Sequence, residues 1–188
     1  GAVSIGDNTV TTLTNNGTIE TTSSHYGLRH TGSGLITTLI NNGSITSAAR
    51  YGLSTGSSAT ITTIENSGTI SAGAHSGLRN YKGVIGTITN SGTGTISAVG
   101  HSGLRNDGDG EIGTITNSGT ISAGTDKGLF NSGTITTLTN SGTISSTEEY
   151  GLSNDDGSIG TITNSGTISA GGDNGLWTDG TITELNNS

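Results

Sequence analysis

Two residues ahead of each Gly-Leu pair the chain places His25, Arg50, His75, His101, Asp126, Glu149 and Asp173. Two imidazoles and a carboxylate can hold a zinc-like ion when their donor atoms converge. His75, His101 and Asp126 come from consecutive copies of a repeat, so they converge only if those copies stack in register. The plain alternative is a solvated turn column whose residues vary from copy to copy. A second group, Asp107, Asp109 and Glu111, lies in the run Asn-Asp-Gly-Asp-Gly-Glu at 106–111. Oxygen donors alternating with glycine suit calcium, although the full twelve-residue EF-hand pattern is absent. Residues 154–157, Asn-Asp-Asp-Gly, repeat that run only loosely. The plain reading here is charged turns that favour solubility. No cofactor is required by these residues, and calcium is the one they could accept.

Aromatic residues could stack on a sugar. Tyr26, Tyr51 and Tyr150 share the column just before the Gly-Leu glycine, but Ser76, Ser102, Lys127 and Asn174 occupy it elsewhere and break it. Paired carboxylates facing each other across a groove, as glycoside cleavage needs, are not required by any spacing in the chain. The segment is therefore expected not to be an enzyme. A carbohydrate-binding or carbohydrate-active β-helix is kept as an alternative.

All of these groups depend on a repeat for their placement. The dodecamer GTITNSGTISAG occurs at 113–124 and again at 160–171. The asparagine of the Asn-Asn-Gly or Asn-Ser-Gly step recurs at Asn15, Asn41, Asn66, Asn90, Asn117, Asn140 and Asn164, in steps of 23 to 27 residues. A period in this range indicates stacked units that bury a continuous core only together. Aliphatic residues lie five before, two before and four after the asparagine, as in Ile112, Ile115 and Ile121, and the Gly-Leu leucine completes the set. Thr-Ile-Thr alternation turns the aliphatic one way and the threonines the other. Frequent glycine and β-branched residues disfavour helix.

The expected fold is all-β: a parallel β-solenoid of about seven coils of 23–27 residues, with three strand segments per coil. At the strand spacing, seven coils would stand about 34 Å tall. The asparagine column is expected to form a side-chain ladder inside the turns. Residues 1–188 are expected to form one repeat domain that reads as a segment of a longer solenoid.

Composition narrows the function classes. The chain is 27% hydrophobic and 3% aromatic, with 36 Thr, 34 Gly and neither Pro nor Cys. Without cysteine there is no disulfide, thiolate ligand or thiol nucleophile. A net charge of −8 disfavours nucleic acid and anionic lipid as partners. No apolar run is long enough to span a membrane as a helix, so this segment is not expected to insert.

The copies at 112–122 and 159–169, together with Gly103-Leu104-Arg105-Asn106 and Gly128-Leu129-Phe130-Asn131, resemble passenger repeats of bacterial autotransporter-type surface proteins. The resemblance covers nearly the whole chain. It implies a right-handed β-helix at the bacterial cell surface, acting as a stalk or adhesin toward a host or matrix surface, with glycan or protein as ligand. These residues contain no signal-peptide pattern and no membrane-barrel segment, so the surface location comes from the resemblance alone. Any contact would fall on the threonine faces or on residues after the Gly-Leu leucines: Arg29, Arg79, Arg105, Phe130 and Trp177. Open solenoid ends could also pair with other chains.

The pairs Thr87/Thr89, Thr114/Thr116, Thr137/Thr139 and Thr161/Thr163 form a Thr-x-Thr array similar to that of β-solenoid antifreeze proteins. This resemblance implies ice binding as the rival function. Ile40 and Glu65 interrupt the array in earlier coils, and threonine is in any case a good exposed strand residue.

Overall fold

A computed structural model describes residues 2–188. It contains strands and turns only, wound as a parallel β-solenoid whose three sheets run the length of the molecule. One sheet stacks eight seven-residue strands, from Thr9–Asn15 to Thr181–Asn187. A second stacks the Thr-Ile-Ser strands, from Thr18–Thr21 to Thr167–Ala170. The third stacks the short Gly-Leu strands, from Val3–Ile5 to Leu176–Thr178. Every pairing joins one coil to the next and is parallel, which agrees with the three segments expected for each repeat.

Register follows the sequence alignment residue for residue. Ile85, Ile112 and Ile135 are partners across neighbouring coils, as are Ile88, Ile115 and Leu138. These columns, with the Ile96–Ile121–Ile144 and Leu104–Leu129–Leu152 columns, make one continuous core that is almost entirely shielded from water. Each fully buried aliphatic contributes roughly 1.5–3 kcal/mol. A coil carries only four of them, so no coil closes a core without its neighbours. Two residues beyond the isoleucine of each Thr-Ile-Ser strand the side chain is small, and it is buried at Ser47, Ala72, Ala98, Ala123 and Ser146.

Variation in repeat length is absorbed at the corners and never within a strand. In the fourth repeat two extra residues extend the turn between Asn90 and Thr95, and the register recovers at once. The corner between the Gly-Leu and seven-residue sheets varies most. All the left-handed residues among those described lie there, including Lys82 (φ 56°) and Gly108 (φ 61°). The opposite corner is constrained by close approach. A Cβ on Gly142 would sit 2.2 Å from the carbonyl oxygen of Gly119, so the glycine of the Asn-Ser-Gly step is required by the stacking of the turns.

Candidate functional site

Two columns of buried polar side chains run through the turns. In the first, Asn15, Asn41, Asn66, Asn90, Asn117, Asn140, Asn164 and Asn187 are linked, each Nδ2 donating to the Oδ1 of the next at 2.7–2.8 Å. Each amide from Asn15 to Asn164 also donates to one or two turn carbonyls. Asn90, for instance, reaches Gly94 O at 3.0 Å and Thr120 O at 3.1 Å. This is the expected ladder, and it satisfies carbonyls that water cannot reach.

Sequence reasoning missed the second column. Asn80, Asn106, Asn131 and Asn154 form another ladder of the same kind at 2.7–2.9 Å. Its signal was present in the Gly-Leu-x-Asn motif, but the column also contains His30, Thr55 and Thr178. His30 stands in for the amide: it is buried and its Nε2 lies 3.0 Å from Gly34 O. Thr55 does not, and both its Oγ1 and the facing Oδ1 of Asn80 are buried without a partner.

The zinc candidates come only partly together. His75 and His101 stack face to face, with centroids 5.2 Å apart and planes 3° from parallel, so their nitrogens do not aim at a common point. Asp126 lies 3.4 Å from His101 Nδ1 but is also held by Lys127 Nζ at 2.6 Å and accepts from Ser102 Oγ at 3.2 Å. Lys127 bridges on to Glu149 at 2.7 Å. Burial raises the Asp126 pKa, but Lys127, Ser102 and His101 outweigh it and hold the carboxyl below its ordinary value. An ammonium beside the carboxylate opposes a metal cation at the same oxygens. Among the described residues no three His, Cys, Asp or Glu side chains are grouped closely enough to hold a metal.

The calcium candidates are divided. Asp107 is 7% exposed and takes a bidentate contact from Arg79, at 3.1 Å from Nη2, plus one from Arg105 Nε at 2.8 Å. Its charge is therefore already answered by two guanidiniums. Asp109 and Glu111 line an open cleft with Ser132, Thr134 and Asp156.

The tyrosine column is broken at Lys127 and Asn174, as the alignment suggests, but the run of rings continues past Ser76 and Ser102. Ser76 and Ser102 turn inward and are buried, and the preceding histidines take the outer position. Tyr26 stacks on Tyr51 at 5.7 Å, Tyr51 on His75 at 5.1 Å, and His75 on His101. All four arginines of the chain gather on this stripe. Arg29 and Arg50 lie over Tyr26, Arg79 over Tyr51, and Arg105 over Phe130 at 4.2 Å. Farther along the same edge the character changes to Asp126, Lys127 and Glu149, followed by a Tyr150–Trp177 stack.

The threonine rows lie where the alignment puts them. Thr12, Thr38, Thr63, Thr87, Thr114, Thr137 and Thr161 are in register over seven coils, so this row is unbroken. The neighbouring row reads Thr14, Ile40, Glu65, Thr89, Thr116, Thr139 and Thr163, and only its later part is uniform. A shallow cleft lined by Ile40, Asn42, Glu65 and Thr89 marks the interruption. No protein-family model, curated protein or solved structure matches this chain.

Proposed function

We propose that this chain is a structural stalk or adhesive segment of a bacterial cell-surface protein and is not an enzyme. The observation that carries the reading is how the polar groups are used. Turn carbonyls are consumed by the two ladders, and Asp107 and Asp126 are consumed by ion pairs. What remains for contact is a set of regular outer faces. The surface location and the host or matrix partner rest on the resemblance to autotransporter passengers. The test is display of the segment on a non-adherent bacterium, followed by attachment to surfaces coated with matrix protein or polysaccharide. Attachment above that of the undisplayed strain supports an adhesive segment, and its absence on every surface removes that role.

A second reading, ice binding, is favoured by one observation. The row from Thr12 to Thr161 is uninterrupted, and a second threonine row runs beside it from Thr89 to Thr163. Paired hydroxyls and methyls at strand spacing could order water on a flat face. Thermal hysteresis and faceted ice crystals, lost on Thr116→Lys together with Thr139→Lys, would establish it. Unshaped crystals would reduce the rows to strand chemistry.

A further inference from the structure

The net charge of −8 hides a division. Residues 1–106 carry five Lys or Arg against three Asp or Glu, whereas residues 107–188 carry one against eleven. Within the first part, the arginines do not scatter over the surface. They flank one stripe of stacked rings that crosses four coils, about 14 Å at the strand spacing. Arg79 and Arg105 share a single carboxylate, Asp107, so one guanidinium charge there is uncompensated. Arg29 and Arg50 have no carboxylate partner among the described residues; they pack on Tyr26, and Arg50 Nη1 donates to its hydroxyl at 3.1 Å.

A cleft of about 210 Å³ opens in this stripe between Tyr51, His75, Arg79, His101 and Arg105. The cleft thus combines uncompensated positive charge with ring-edge donors.

We propose that this stripe is a binding site for a linear anionic polysaccharide lying along the solenoid axis, with its acid groups on the arginines and its hydroxyls on the ring edges. Guanidinium matches carboxylate or sulfate through paired donors. A pyranose chain advances by a step comparable to one coil, so successive sugars meet equivalent positions. Nucleic acid fits poorly. Single strands bind by stacking bases on open aromatic faces, and here the ring faces are covered by one another and by guanidiniums. The proposal deepens the adhesive reading and rests on it for the biological setting, although the site can be tested on the isolated chain.

The test is titration calorimetry of the 188-residue chain at low and at physiological salt. The probes are an oligogalacturonate, a heparin oligosaccharide, neutral maltohexaose, poly-glutamate and oligo-dT. Saturable binding of one or both acidic glycans, weakening with salt, with the neutral, peptide and DNA probes inactive, is the expected result. The oligogalacturonate and heparin arms separate carboxylate from sulfate recognition. The double variant Arg29→Gln/Arg50→Gln breaks no ion pair and should weaken binding about fivefold to tenfold with the fold retained, the loss of the Tyr26 contacts lowering the melting temperature only slightly. Arg79→Gln should weaken it further, but it loosens the hold on Asp107 and is read only beside the first variant. Equal binding of poly-glutamate or oligo-dT, binding indifferent to Arg29 and Arg50, or no binding at low salt would each overturn the proposal. Attachment of displayed cells that survives Arg29→Gln/Arg50→Gln would leave the adhesive reading standing and the stripe without a role. Glycan binding in solution without attachment would do the reverse.

Discussion

The two asparagine columns solve the same problem with different completeness. The first is occupied by asparagine in every coil from Asn15 to Asn187, and every amide from Asn15 to Asn164 donates to the asparagine of the next coil. The second holds asparagine only from Asn80 to Asn154. Where it ends, at Thr55, two buried polar atoms face each other without a bond. A primary amide both donates and accepts at every rung, whereas a threonine only accepts at one end, Thr178 Oγ1 from Asn154 Nδ2 at 3.1 Å, and fails to donate at the other, Thr55. Regular sequence at a buried polar column is therefore a requirement of hydrogen-bond accounting and not an ornament of repetition.

Five substitutions bear on this comparison. The largest effect is expected beside the complete ladder, at the fully buried Ile115. Ile115→Asp places an unpaired carboxylate in the core and should cost more than about 4 kcal/mol. A urea melt indistinguishable from that of the parent would refute the inward placement. Next come Asn117→Ala and Asn131→Ala, one in each ladder. Each removes a bond to the next coil and leaves two turn carbonyls without their amide donor, for about 2–4 kcal/mol by denaturant melts. If long ladders strengthen their members, Asn117 costs more; equal losses would make the rungs independent.

Thr55→Asn should have the opposite sign. An amide at this position can donate to Asn80 Oδ1 and carry the second ladder one coil further, adding about 1 kcal/mol. A lower melting temperature would mean that the site cannot admit the longer side chain. The smallest effect lies outside both ladders. Burial first, then His101, Arg50 and Arg79, hold the His75 pKa below its ordinary 6.5, and Tyr51 and Asp107 complete its surroundings. A histidine with a depressed folded pKa contributes stability that is present above pH 6.5 and is lost as pH falls below it. The melting temperature of the parent should therefore drop slightly over that range, and His75→Gln should flatten the drop. Identical pH profiles would show that the ring protonates freely in the fold.

The fold was legible because its determinants recur in register. Ile112, Ile115 and Ile121 have counterparts in their aligned columns, so period and burial could both be read from the chain. The first ladder was legible for the same reason. The second was not, since His30, Thr55 and Thr178 interrupt its column and look like loop variation. The aromatic stripe was hidden by a different cause. It passes from Tyr51 in one aligned column to His75 in the next, because Ser76 turns into the coil and hands the outer place to its neighbour. Alignment assigns residues to columns, but the backbone of the corner decides which of two adjacent residues faces water. The zinc candidates illustrate the same limit: His75 and His101 are neighbours as expected, yet ring stacking turns their nitrogens away from convergence.

The ladders also give the rod an electrical sense. In all ten amide-to-amide bonds the Nδ2 faces the higher-numbered coil and the Oδ1 the lower. Amide dipoles aligned head to tail add, as they do along a helix. The positive pole lies toward the later coils, where eleven of the fourteen acidic residues are found, and the negative pole toward the coils that carry all four arginines. Fixed charge and buried dipoles thus oppose one another along the axis, so the molecule holds strongly unequal charge at its two ends with part of that imbalance compensated from within.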